Sequence, residues 1–133
     1  MNTRYDPASD MTQNRYQAAI AAFDQANAED PNTEMADGKK YPKELLYAQR
    51  MSEMQERYAP GVSEAVKLAV RAQHIQRWKI PRGDYSMDKP GYMLWRTTLY
   101  KVHTGSAGNL MKEAGYDDDM IAHIHVGGEG RPV

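Results

Sequence analysis

Residues 63–78 read SEAVKLAVRAQHIQRW, and the apolar side chains in this stretch recur with the period of a helix. Ser63 offers an N-cap hydroxyl ahead of Glu64. Pro81 sets the far limit, because the residue before a proline is pushed out of helical geometry. The segment is therefore expected to stay helical to about Trp78. At about 100° per residue, Glu64, Lys67 and Arg71 share one side, and Ala65, Val66, Ala69 and Val70 share the other. Gln73 falls within the apolar arc, with His74 at its edge and Arg77 nearby. An amide on a face due for burial needs partners. Gln73 is thus either a core glutamine bonded to a neighbouring backbone group or a residue aimed at an internal polar site.

Helices extend outward from this one in both directions. Upstream, Tyr16, Ala19, Ile20, Phe23 and Ala26 recur at helical spacing after a possible cap at Thr12, and the run to Asp10 reads as poorly ordered. The acid-rich stretch 28–42, with two prolines and a glycine, shows neither period and reads as a long surface loop with no strand pair. Pro42 then opens a helix that is expected to pack through a Tyr47, Met51, Met54 and Tyr58 stripe. Downstream, Asp88 and Pro90 start a helix with Trp95, Leu99, Val102, Ser106 and Leu110 along one side, which stops at Gly115. Asp117 and the acids behind it favour a short fifth helix. The expectation is a single all-α domain over residues 1–133, a bundle of about five helices, with 1–10 and 127–133 poorly ordered.

Composition narrows the function classes. The 133 residues carry 17 Lys+Arg against 18 Asp+Glu, no Cys, and no apolar run long enough to span a membrane, so a cytoplasmic protein with no membrane partner is expected. A chain this long buries about two thirds of its unfolded surface and needs no metal merely to fold. Charge is segregated, with 13 Lys+Arg and 6 Asp+Glu in residues 39–103 against 4 and 12 in the flanks. No specific nucleic-acid signal stands out, and a small phosphorylated ligand suits the arginine-rich middle better.

His103 lies midway along the fourth helical segment among apolar neighbours, and Arg96 precedes it by two turns. Imidazole supplies a metal-ligand nitrogen or a proton carrier, and guanidinium a fork for phosphate. Gln73, His74 and His103 are therefore the catalytic candidates, with His74 and His103 as ligands for one divalent metal ion. Arg50, Arg77, Arg82 and Arg96 are the anion-binding candidates. Arg82 follows the rigid Pro81 and either closes over a ligand or pairs with Asp84. Trp78, Tyr85, Tyr92 and Trp95 read as packing aromatics, one of which can stack on a planar ligand. His123 and His125 face different ways on a helix and read as surface residues. Gly127, Gly128 and Gly130 lack the flanking strand and helix of a phosphate loop.

The segments YQAAIAAFDQANAEDPN, KELLYAQRM, SEAVKLAVRAQHIQRWKIPR, GYMLWRTTLYKVH and EAGYDDDMI, in this order over about Tyr16 to Ile121, resemble the domain-of-unknown-function family 4202. That family in turn resembles a degenerate branch of the HD superfamily of helical, metal-dependent phosphohydrolases. The resemblance implies an HD-like helical arrangement and puts Tyr47 where the first metal-binding His would stand. It sets Gln73 and His74 in place of the His-Asp pair, and matches His103 to a later His. It also implies further helices beyond the GYD element, which this chain replaces with VGGEGRPV, so an apolar face is expected to be left for homodimerisation.

Three functions follow. In an HD-like phosphohydrolase, His74 and His103 would bind metal or move a proton, Gln73 would orient water and the arginines would hold phosphate. A non-catalytic ligand-binding or regulatory domain would keep only the basic pocket. A helical interaction module would use the polar residues for packing alone.

Overall fold

The computed structural model of the chain describes residues 7–128, with side chains over 13–124. Its elements are α1 (Pro7–Ala28), β1 (Thr33–Ala36), β2 (Lys39–Pro42), α2 (Lys43–Tyr58), α3 (Glu64–Arg71), α4 (Lys89–Ala114) and α5 (Asp118–Gly128). Two short 3-10 turns, Arg77–Lys79 and Arg82–Asp84, lie between α3 and α4. The all-α expectation holds.

Short as it is, α3 sits at the centre, packed against α1, α2 and α5, while α4 closes the bundle against α1 and α5. Phe23, Leu68, Ile75 and Met111 are fully buried where these helices meet. Burying side chains of this size contributes about 1.5–3 kcal/mol each. Polar ties fix the register of the helices. Arg71 at the end of α3 donates from Nε and Nη2 to the two carboxylate oxygens of Asp24 on α1, at 2.8 and 2.7 Å. Tyr116 donates its hydroxyl to Glu64 at the start of α3, and burial together with that acceptor raises the tyrosine pKa.

Capping follows the sequence at several ends. Ser63 Oγ accepts from Val66 N–H, Asp88 Oδ1 accepts from Gly91 N–H, Asp117 Oδ1 accepts from Met120 N–H, and Gly115 ends α4 at φ 112°. Four expectations are corrected. Helix α1 starts at Pro7, whose fixed φ and missing N–H suit a first turn, so Thr12 is internal to the helix; residues 1–6 and 129–133 lie outside the described residues. The acidic stretch contains an antiparallel hairpin, pairing Thr33 with Pro42 and Ala36 with Lys39 across Asp37 and Gly38 at φ 51° and 79°. Positive φ at both turn residues is what an Asp-Gly hairpin turn demands. Helix α2 buries Glu44, Leu46 and Ala48, leaving Met54 and Tyr58 54% and 75% exposed, so the Tyr/Met stripe is not its packing face.

The fourth correction matters most for function. Helix α3 stops at Arg71, and residues 72–76 turn out of it through i to i+3 hydrogen bonds such as Ile75 N–H to Ala72 and Arg77 N–H to His74. Gln76 lies in the left-handed region at φ 53°, held there by the fully buried Asn27 of α1, whose Oδ1 accepts the Gln76 N–H at 2.9 Å. Sequence periodicity carries no trace of that tertiary bond. The break rotates Gln73 to the exposed surface and points His74 and Arg77 toward α2 and α4.

The approach to α4 leaves no room at Gly91. A β-carbon there would lie 2.1 Å from the Ser86 carbonyl oxygen and 2.3 Å from its Oγ. Gly91→Ala is expected to cost about 2 kcal/mol, the usual scale of an overpacked site. Urea denaturation checks this, and parent-like stability would mean that the 85–88 turn yields freely.

Candidate functional site

An open cleft of about 790 Å³ lies between the hairpin and α2 on one side and the 74–82 segment and α4 on the other. Its floor depends on one carboxylate. Asp30, 6% exposed, accepts the backbone and side-chain amides of Asn32 on Oδ1 and the Glu44 N–H on Oδ2, each within 3.1 Å. Lys43 N–H adds a bond to the Asn32 carbonyl. Pro42 has no side-chain cap to give, so Asp30 takes the Glu44 N–H at the start of α2 from outside the helix.

That anchoring presents Lys43, Glu44 and Tyr47 to the cleft. The Tyr47 ring stacks on the His74 imidazole with centroids 4.1 Å apart and planes 5° from parallel. His74 Nδ1 lies 3.4 Å from Glu44 Oε1, and the Arg77 Nη1 lies 3.1 Å from its Nε2. The Arg77 guanidinium is also 5.4 Å from the Trp95 ring, whose Nε1 donates to the Ile80 carbonyl at 2.8 Å. The Arg82 guanidinium lies 5.7 Å from the same ring, and its Nη1 donates to the carbonyls of Ser86 and Tyr85, not to Asp84. Arg50 lines the cleft but is paired with Glu34 at 3.1 Å. Among the described residues, Lys43, Arg77 and Arg82 have no carboxylate partner.

The sequence candidates separate. His74, Arg50, Arg77 and Arg82 line the cleft. Gln73 is exposed, and Arg96 is exposed on the outer side of α4 with its Nη1 3.3 Å from the Tyr92 hydroxyl. His103 is mostly buried behind the site, close enough to His74, Arg77 and Glu44 to feel their charge. His123 is exposed, as expected, and the side chain of His125 lies outside the described residues. Glu44 and Asp30 escaped the sequence reading, although Glu44, Tyr47 and Met51 share one helical side and mark an acid at an inward position. Asp30, which acts across the hairpin, left no such signal.

The donor set does not fit a metal. Among the described residues no three His, Asp or Glu side chains converge, and a guanidinium stands against the His74 nitrogens where a metal-binding imidazole would need an open lone pair.

Residues 17–126 match the family model described as Domain of unknown function (DUF4202). The chain belongs to that family. No curated protein and no solved structure matches it. Among the described residues of this DUF4202 chain, no helix is long and apolar enough to cross a membrane.

His103 gives the DUF4202 chain a pH signature. Its Nε2 is buried with no partner among the described residues, and burial, reinforced by His74 and Arg77, pushes its pKa down from 6.5 to about 4, against a weaker upward pull from Glu44. The unfolded chain then binds a proton below about pH 6.5 that the folded chain refuses until about pH 4. Stability is complete above that window and falls through it as pH drops, by about 2 kcal/mol at pH 4.5. His103→Gln removes this component. Urea titrations at pH 7 and 4.5 should show a smaller gap for the variant, and an equal gap would assign the acid loss to other groups.

Proposed function

We propose that the cleft binds a phosphorylated, nucleotide-like small molecule. The carrying observation is three cations that have no carboxylate partner among the described residues, Lys43, Arg77 and Arg82, set among the rings of Tyr47, Trp78 and Trp95 in one cleft. Guanidinium forks recognise phosphate through paired charge-assisted hydrogen bonds, and indole faces take up a planar base. A solvated helix face would show neither the convergence nor the interleaved rings.

One contact favours a hydrolytic version. The carboxylate of Glu44, only 11% exposed, faces His74 Nδ1, an arrangement that orients an imidazole for proton transfer to or from a bound phosphate ester. HD-like phosphohydrolase ancestry stays within this reading. Its usual metal does not suit the side chains present, so binding is the primary activity and proton transfer by His74 a second one.

The two tryptophans of the chain, Trp78 and Trp95, both line the cleft, which makes intrinsic fluorescence a direct readout. A nucleoside 5′-monophosphate is expected to change the emission saturably and raise the melting temperature, whereas the unphosphorylated nucleoside binds at least ten-fold more weakly. Equal binding of the two would remove phosphate recognition, and no response to either would remove the reading. Added divalent metal should leave the affinity unchanged for a binding cleft, and a metal requirement would restore the phosphohydrolase mechanism.

A further inference from the structure

Neighbouring rings and cations continue beyond the cleft wall. Starting at α2 they run Tyr47, His74, Arg77, Trp95, Arg82, Tyr92 and Arg96, with the Tyr92 ring 5.7 Å from the Arg82 guanidinium and 5.9 Å from that of Arg96. From Arg77 outward, cation and ring alternate strictly. The last part lies outside the cleft, with Tyr92 40% exposed and Arg96 exposed, on the first turns of α4. Among the described residues neither Arg82 nor Arg96 is ion-paired; Arg82 gives its Nη1 to the two carbonyls of Tyr85 and Ser86, and Arg96 gives its Nη1 to the Tyr92 hydroxyl.

We propose that this ladder binds the 5′-phosphorylated end of a short single-stranded nucleic acid, its terminal nucleotide in the cleft with Arg77 and Arg82, and the next one along Tyr92 and Arg96. The proposal rests on the nucleotide reading of the cleft and extends it from a monomer to a chain. A single strand presents charge and ring in turn, and the ladder answers in the same order, with guanidinium for phosphate and aromatic or guanidinium plane for base. A mononucleotide would leave Tyr92 and Arg96 without work. Exposed Met87, Met93 and Leu94 flank the same turns and supply apolar cover for an unstacked base. The charge balance limits the length. A chain with net charge -1 lacks the broad basic surface needed to follow a duplex, so recognition ends after about two nucleotides.

Tryptophan fluorescence titrations of the full chain compare a 5′-phosphorylated mononucleotide, the corresponding 5′-phosphorylated dinucleotide, inorganic pyrophosphate and anionic phosphatidylserine vesicles. The dinucleotide is expected to bind at least ten-fold tighter than the mononucleotide. Tyr92→Ala and Arg96→Ala, both at exposed positions, should erase that advantage while leaving mononucleotide affinity and the melting temperature unchanged, and Arg96→Lys should retain part of it. Equal affinities for mono- and dinucleotide overturn the extension and leave the cleft reading standing. An advantage that survives both alanine variants overturns the assignment to Tyr92 and Arg96. Pyrophosphate binding as tightly as the dinucleotide means that rings are not read, and response to vesicles alone makes the face a lipid surface; either overturns the proposal. Failure of both nucleotides to bind overturns the cleft reading with it.

Discussion

Asp30→Ala is expected to destabilise the chain by about 3–4 kcal/mol, lowering the melting temperature by roughly 12–15 °C. The carboxylate is nearly inaccessible and accepts three hydrogen bonds, two of them from backbone amides of Asn32 and Glu44. Alanine leaves the buried Glu44 amide without an acceptor, at about 1–3 kcal/mol, costs the part-buried Asn32 amides their partner, and removes the negative charge that faces the start of α2. Asp30→Asn separates the contributions. Its oxygen can replace one carboxylate oxygen, but its NH2 must then face a donor, so an intermediate loss of about 2 kcal/mol is expected. The damage should reach the cleft. Lys43, Glu44 and Tyr47 are set by the first turn of α2, so nucleotide affinity should fall in Asp30→Ala even at temperatures where the protein remains folded. Calorimetry and fluorescence titration check the two effects. Parent-like stability would show that the hairpin and the Lys43 bond to Asn32 fix α2 unaided.

Much of the bundle is legible in the sequence because its causes are local. Ser63, Asp88 and Asp117 cap the helices that follow them, and Gly115 ends α4 in the backbone region open to glycine. The hairpin was equally local. Asp37-Gly38 is a strong two-residue turn signal, outweighed in the sequence reading by the acids and prolines around it. The end of α3 is different in kind. Nothing in AVRAQHIQRW announces a stop at Arg71, because the bond that bends the chain comes from Asn27, 49 positions before its partner Gln76. A helix continued to Trp78 would set Gln73 inward. The observed turn puts it in solvent and gives His74 and Arg77 the cleft. The site was thus half legible: periodicity drew attention to the right segment, and a long-range hydrogen bond decided which of its residues face inward. Arg96 shows the same limit. Spacing placed it on the side of His103, whereas the structure buries His103 behind the cleft and leaves Arg96 outside with Tyr92.

Arg77→Ala is expected to raise the Kd for a nucleoside 5′-monophosphate roughly 30- to 100-fold, the equivalent of about 2–3 kcal/mol for a lost charge-assisted pair of hydrogen bonds. Arg77 is held by two rings, its Nη1 3.1 Å from His74 Nε2 and its guanidinium 5.4 Å from the Trp95 ring, so it is ordered before any ligand arrives. Preorganisation reduces the entropy lost on binding, which is why its removal should cost more than that of the exposed Lys43. Arg77→Lys keeps the charge without the planar fork and should recover only part of the affinity. A second measurement tells ligand binding from general damage. Arg77 helps hold the His103 pKa near 4, so without it that pKa should rise, observable by NMR titration of the imidazole whether or not ligand is present. A raised His103 pKa with unchanged Kd would mean that Arg77 is correctly placed in the structure but does not touch phosphate, leaving Lys43 and Arg82 to carry recognition. A higher Kd for the nucleotide with an unaltered Kd for the unphosphorylated nucleoside would assign the lost energy to the phosphate contact itself.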